Sequence, residues 1–263
     1  MQLMTRLENL RKIQKEILNH EKGEENQPMK NDWKMYQRNS ILGAFGAVLM
    51  MVGDLSLSVI PPNNNDSGLF VREYYLSGAY PSWRFPLLLG PGVIGIALCA
   101  FAVWVMYTQI KPEYKKLRLL MKISGVIYLT SACVIHYMIG SLADWTSMLS
   151  PLLERDQIIE LVQNQYQRAM PCLWSAYVGM VVMILGSAWA FATKKTILPG
   201  KMFIFHILVW QNIFVLVPDI RQAMGADHAT LDYVLSQSSG NTALCIYMIA
   251  NAVWAGCQRK KES

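Results

Sequence analysis

Residues 119–149 read LLMKISGVIYLTSACVIHYMIGSLADWTSML. The run is longer than the roughly 20 residues a helix needs to cross the ~30 Å hydrocarbon core of a bilayer. A helix is the only open-chain solution there, because backbone N–H and C=O groups find no water to bond and must satisfy one another. Between Lys122 and Asp144 the stretch has one side chain that ionises near neutral pH, His136. A charged group costs several kcal/mol in that environment, so residues of this kind face a protein interior or a wet cavity. The stretch therefore reads as a membrane helix with one wall turned toward a pocket.

Five further apolar runs accompany it: Ile41 to Ile60, Phe85 to Ile110, Pro171 to Thr193, Ile197 to Pro218 and Thr242 to Cys257, with Leu119 to Thr146 as the third of six. A chain with 53% hydrophobic and 16% charged residues and a mean hydropathy of +0.23 is too apolar for an ordinary soluble domain. The fold expected is all-α, a polytopic bundle of six transmembrane helices. Three regions follow: residues 1–38 as a cytoplasmic amphipathic helix and polar linker, 39–258 as the membrane domain, and 259–263 as a basic tail.

The net charge of +6 invites a nucleic-acid reading, which the positions of the basic residues oppose. With the helices crossing alternately, 19 of the 24 Lys and Arg residues fall on one side. That is a positive-inside pattern, which puts both termini in the cytoplasm and the protein in the cell membrane, with no nucleic-acid partner. No apolar signal region precedes Ile41. Leu3, Leu7, Leu10, Ile13 and Ile17 recur at helical spacing among charges and form a short amphipathic helix. Cys99, Cys133, Cys172, Cys245 and Cys257 all lie in apolar runs without a C-x-x-C pair, which reads as packing rather than as a disulfide framework.

Both long outer connections carry signals. Residues 61–85, PPNNNDSGLFVREYYLSGAYPSWRF, hold Tyr74, Tyr75, Tyr80 and Trp83, suited to the interface, in a loop long enough to fold over the outer mouth. In the second, Ile158, Ile159 and Val162 have helical spacing, which predicts a short amphipathic helix on the outer surface. Gly90-Pro91-Gly92 predicts a kink or break in the second span, since proline removes a donor.

Placed by their charged flanks, Asp54, His136, Asp144, Asp219, Gln237 and Asn241 all fall in the outer half or at its rim. His136, Gly140 and Asp144 stand at i, i+4 and i+8, within about 80° of one helix face, and Gly140 would leave space between the two polar groups. These six residues are the candidate ligand-binding set, with His136 and Asp54 the candidates for any acid-base chemistry. His206, Gln211, Asn212 and Asn251 read instead as interhelical hydrogen-bonding groups. No H-E-x-x-H, G-x-S-x-G or phosphate-loop pattern occurs. A metal site is not indicated, since His136, Asp54 and Asp219 would have to be gathered by the fold alone.

Gly53-Asp54, Trp83-Arg84, Gly90-Pro91, Lys111-Pro112, His136, Lys195-Thr196 with Pro199, and Asn241 together resemble an uncharacterised family of bacterial six-helix membrane proteins, a domain of unknown function. The resemblance spans about Ile41 to Trp254, implies the six-helix topology and directs attention to Asp54 and His136. It implies no reaction. The expectation is an integral membrane protein that binds a small or lipid-like ligand in an outward-facing polar pocket, for transport or sensing. A membrane-embedded enzyme with a His/Asp acid-base pair is the alternative, and a structural or accessory subunit is a third. The expected partners are the bilayer and a small-molecule or lipid ligand, and a homo-oligomer is compatible with either.

Overall fold

The computed structural model describes residues 33–60, 63, 66, 72–225 and 234–262. The N-terminal amphipathic helix expected from Leu3 to Ile17 lies outside the described residues. Among the described residues the regular elements are helical: α1 Trp33–Ser58, a single turn α2 Glu73–Leu76, α3 Arg84–Thr108, α4 Lys115–Leu149, α5 Arg155–Ala192, a 3-10 helix Gly200–Phe205, α6 Ile207–Ala223 and α7 Ser239–Glu262. Five segments are long and apolar enough to cross a membrane: Trp33–Leu57, Arg84–Thr108, Lys115–Leu149, Arg155–Ala192 and Gly200–Arg221. They carry an exposed apolar belt, with Phe45, Ile94, Val126, Val178 and Leu216 among its members, as suits helices that lie in a bilayer. These helices mark the chain as a candidate multi-pass membrane protein.

The count differs from the six expected. The segment around Thr242–Cys257 does form a helix, α7, but it is not among the five. Its apolar run is short, and Asn251 within it and Gln258–Lys261 beyond it dilute the hydrophobic signal. A second difference concerns Ile158 and Val162. They do not belong to a separate surface helix; α5 runs unbroken through Pro171 for 38 residues, about 57 Å at 1.5 Å per residue. The reason is packing: Ile158 and Val162 are buried against Leu142 of α4, and Glu154 and Gln157 close a capping box at the helix start. α3 likewise continues through Pro91 without a break.

The helices neighbour one another in the order α6, α7, α1, α3, α4, α5. The α1–α3 crossing is close because it is built from small residues. A Cβ on Gly46 would stand 2.8 Å from the Gly95 carbonyl oxygen, and one on Gly95 2.7 Å from that of Gly46, so only glycine permits this approach. At one end, here called the basic end, Trp33 Nε1 donates to Glu262 at 3.1 Å and the Trp33 and Trp254 rings meet edge to face at 4.7 Å. The start of α1 is thereby tied to the finish of α7. Also at this end, Lys111 N–H donates to the Lys195 carbonyl at 2.9 Å and Ile197 N–H to the Gln109 carbonyl at 2.8 Å, which staples α3 to the segment after α5. The main apolar core, with Tyr36, Val105, Met121, Met183, Phe191 and Met248, occupies the half of the bundle nearest this end.

Candidate functional site

At the opposite end α1, α4 and α7 bring three polar residues together. Asp54 sits one turn before the finish of α1, and Asn241 is the third residue of α7. Asn241 Nδ2 donates to Asp54 Oδ2 at 2.5 Å. The other carboxylate oxygen, Oδ1, faces His136 Nδ1 at 3.8 Å, just beyond hydrogen-bonding distance. The side chains of His136 and Asp54 keep 15% and 28% of their surface exposed. One carboxylate oxygen is therefore engaged, while the other and the imidazole stand apart without a hydrogen bond between them.

The imidazole owes its position to two glycines. A Cβ on Gly92 of α3 would fall onto His136 Nε2, and one on Gly53 of α1 would stand 2.9 Å from the same atom. The ring thus enters a slot that only glycine leaves vacant, between α1 and α3. Its Nε2 is buried and makes no hydrogen bond of ordinary geometry, although the Leu88 carbonyl approaches the ring. Among the described residues, no three His, Cys, Asp or Glu side chains gather as metal ligands.

The remaining candidates do not join this centre. Gly140 leaves no space between His136 and Asp144, because the Leu88 side chain of α3 fills it and Phe85 stands 3.4 Å away. Asp144, half-buried, instead belongs to the electrostatic surroundings of the Tyr80 hydroxyl, together with Arg84 and Tyr74. Asp219 on α6 and Gln237 before α7 are exposed, and neither bonds to Asp54 or His136.

Described residues of the connection between α1 and α3 pack at this end. Tyr75 and Tyr80 are buried with Ile60 and Ala143, while Trp83 is exposed. Arg84 Nη1 donates to the carbonyls of Ser56 at 3.3 Å and Val59 at 3.0 Å, and Tyr75 Oη donates to Leu57 O at 3.3 Å. These bonds satisfy carbonyls that the end of α1 would otherwise leave open. Burial pushes the Tyr80 phenol up to about 12. Burial alone would raise the Asp66 carboxyl too, but N–H groups of Glu73 and Asn63 and the Arg72 guanidinium outweigh it and hold it below the ordinary range. An ion pair between Arg155 and Glu73 fastens α2 to the start of α5.

A second polar cluster, at the basic end, was only partly foreseen. Tyr247 Oη donates to Gln109 Oε1, and Gln109 Nε2 donates to Ser187 Oγ at 2.7 Å. Leu208 N–H donates to His206 Nδ1 at 3.1 Å, which puts the ring proton on Nε2, where it faces Ser187 Oγ at 3.1 Å. Tyr36 Oη donates to Asn251 Oδ1 at 2.7 Å, and Asn251 Nδ2 to the Tyr247 carbonyl at 2.8 Å. All six side chains are buried, and the Phe203 ring stacks on His206 at 5.2 Å. His206 and Asn251 act as the interhelical bonding groups expected of them. Asn212 is exposed and bonds only its own helix, at Leu208 O. Gln109, Ser187, Tyr247 and Tyr36 were not singled out; the available signal was the Tyr247/Asn251 pair at i, i+4.

No curated protein and no solved structure matches this chain. A family described as of unknown function, DUF6796, matches residues 29–253, which takes in α1 to α6 and most of α7, and so Asp54, His136 and Asn241. The chain belongs to this family of unknown function, DUF6796.

Proposed function

We propose that this is a six-span membrane protein of the cell membrane, with both termini cytoplasmic, and that it binds a small or lipid-like ligand at the outer Asp54–His136–Asn241 centre. Support for the sixth span comes from α7, which runs beside α1 and meets Trp33 through Glu262. Support for the orientation comes from the sequence, where 19 of the 24 basic residues fall on one side when the helices are taken as crossing alternately. The observation that carries the functional reading is the gap itself: Asp54 Oδ1 and His136 Nδ1 face each other at 3.8 Å without a bond between them, in partly exposed side chains. With the ring N–H directed at the Leu88 carbonyl, the carboxylate oxygen and imidazole Nδ1 both accept from one bridging group, which favours a ligand with a hydrogen-bond donor or a positive charge. Permeation or sensing would follow from such binding.

The same separation supports a second reading. A pair one water apart is also the arrangement of a general acid/base, and on that reading His136 moves the proton and Asp54 orients the ring. Native mass spectrometry of the purified full chain tests both, with wild type beside Asp54→Asn and His136→Ala. A co-purifying species present in wild type and lost from both variants, at unchanged helicity, is expected, and its mass names the ligand class. An empty wild type, with variants that only unfold at lower temperature, would reduce the three residues to structural pins.

A further inference from the structure

At the basic end, on the opposite side of the molecule from the Asp54 centre, a groove of about 720 Å³ runs between the 3-10 helix and α7. Phe205, Ile249 and Val253 line it and are exposed, at 39%, 52% and 61%. Its remaining wall is formed in part by Met202, Ile246 and Trp254, and its basic end by Lys201 and Lys261. From Ile246 to Cys257 the groove follows α7 for about 17 Å, close to half the ~30 Å hydrocarbon core. One end is thus cationic and the other apolar, and the apolar lane lies on the face of α7 that a bilayer would cover. Water gains nothing in such a lane, and a soluble anion would leave it empty.

We propose that this groove is a binding site for an anionic phospholipid, with the headgroup phosphate between Lys201 and Lys261 and one acyl chain along Phe205, Ile249 and Val253. The two lysines supply the charge that selects an anionic over a zwitterionic head, and the lane supplies the length that selects a lipid over free phosphate. The site is independent of the reading of Asp54 and His136: none of its residues touches either.

The test presents the full chain in detergent with equal amounts of phosphatidylglycerol and phosphatidylcholine and counts retained lipid by native mass spectrometry. The expected preference for phosphatidylglycerol is roughly 30-fold, about fivefold for each lysine near an anionic headgroup. Lys201→Gln with Lys261→Gln should abolish it, while Lys34→Gln with Arg38→Gln, in the separate basic cleft of α1, should leave it intact. Val253→Trp, which blocks the lane, should lower retention of both lipids. Equal retention of the two lipids by wild type would overturn the proposal. So would a preference that survives the loss of Lys201 and Lys261, or one that falls equally in the α1 variant, which would make it a general surface charge effect. Unchanged retention in Val253→Trp would remove the lane. A lipid-free wild-type dimer that this variant dissociates would give the groove to a second copy instead.

Discussion

Replacing Gly92 by alanine would set a methyl group onto the imidazole of His136. The added carbon overlaps Nε2 outright and stands 3.0 Å from Cε1. On its α1 side the ring already lies beside Gly53, close enough that a Cβ there would stand 2.9 Å from Nε2. Either His136 turns out of its slot or α3 moves away from α4, and overpacking of this kind costs about 1–3 kcal/mol. Against that stands the intrinsic gain of alanine over glycine inside a helix, about 1 kcal/mol. The net effect in wild type is a destabilisation of up to about 2 kcal/mol. In a His136→Ala background the methyl group meets no ring, so the helix gain remains and the same substitution should stabilise by up to about 1 kcal/mol. The coupling between the two sites is then about 1–3 kcal/mol. Thermal unfolding of the four proteins in detergent, followed by helical circular dichroism, reads it at about 2–4 °C per kcal/mol. An equal shift from Gly92→Ala in both backgrounds would refute the slot.

Other substitutions probe the groups around it. Asn241→Leu removes the donor to Asp54 Oδ2 and should cost about 1–3 kcal/mol in the same melting assay, because the carboxylate keeps no replacement partner; a Tm at the wild-type value would deny that Asn241 holds Asp54. Tyr247→Phe leaves the buried Gln109 Oε1 without its donor, and a loss of about 1–3 kcal/mol is expected, with protection of amide hydrogens falling at the basic end first. Asp66 gives a pH dependence. Its folded carboxyl titrates below the ordinary value, so it contributes stability above about pH 4, and that contribution disappears as pH falls through the lowered value. The Tm difference between wild type and Asp66→Asn should therefore be full at pH 7 and shrink below pH 4; a difference that grows on acidification would contradict the hydrogen bonds from Glu73, Asn63 and Arg72.

The helices were legible because apolar runs bounded by Lys and Arg are a physical statement about a solvent. Asp54, His136 and Asn241 were legible for a related reason, since a polar group in an apolar run must find a partner, and depth alone brought these three to one level. Asp219 and Gln237 share that depth but not that partnership. Depth along the bundle axis says nothing of which way a helix is turned, and both side chains face out. Gly140 misled in the same manner. A glycine records only that something comes close, and here it is Leu88 rather than a cavity. The continuity of α5 through Pro171 was hidden because Ile158 and Val162 are amphipathic by pattern, and the pattern suits a helix packed on Leu142 as well as one lying on a membrane.

The two polar clusters differ in how far their hydrogen-bonding capacity is used. At the basic end Gln109, Ser187, His206, Tyr247, Asn251 and Tyr36 bond one another or nearby backbone while fully buried. A network of that kind rigidifies and specifies a packing, and has no valence left for a ligand. At the other end Asp54 uses one oxygen, His136 uses neither ring nitrogen in a hydrogen bond of ordinary geometry, and both side chains keep some exposed surface. Structure alone would be better served by closing the 3.8 Å gap, since an unmade bond between a carboxylate and an imidazole forfeits stabilisation that a small rotation would recover. The ring instead lies in the slot left by Gly53 and Gly92, where a Cβ on either would crowd Nε2. The chain thus leaves an acceptor and an imidazole 3.8 Å apart. On the function proposed above, a bound group would bridge the two.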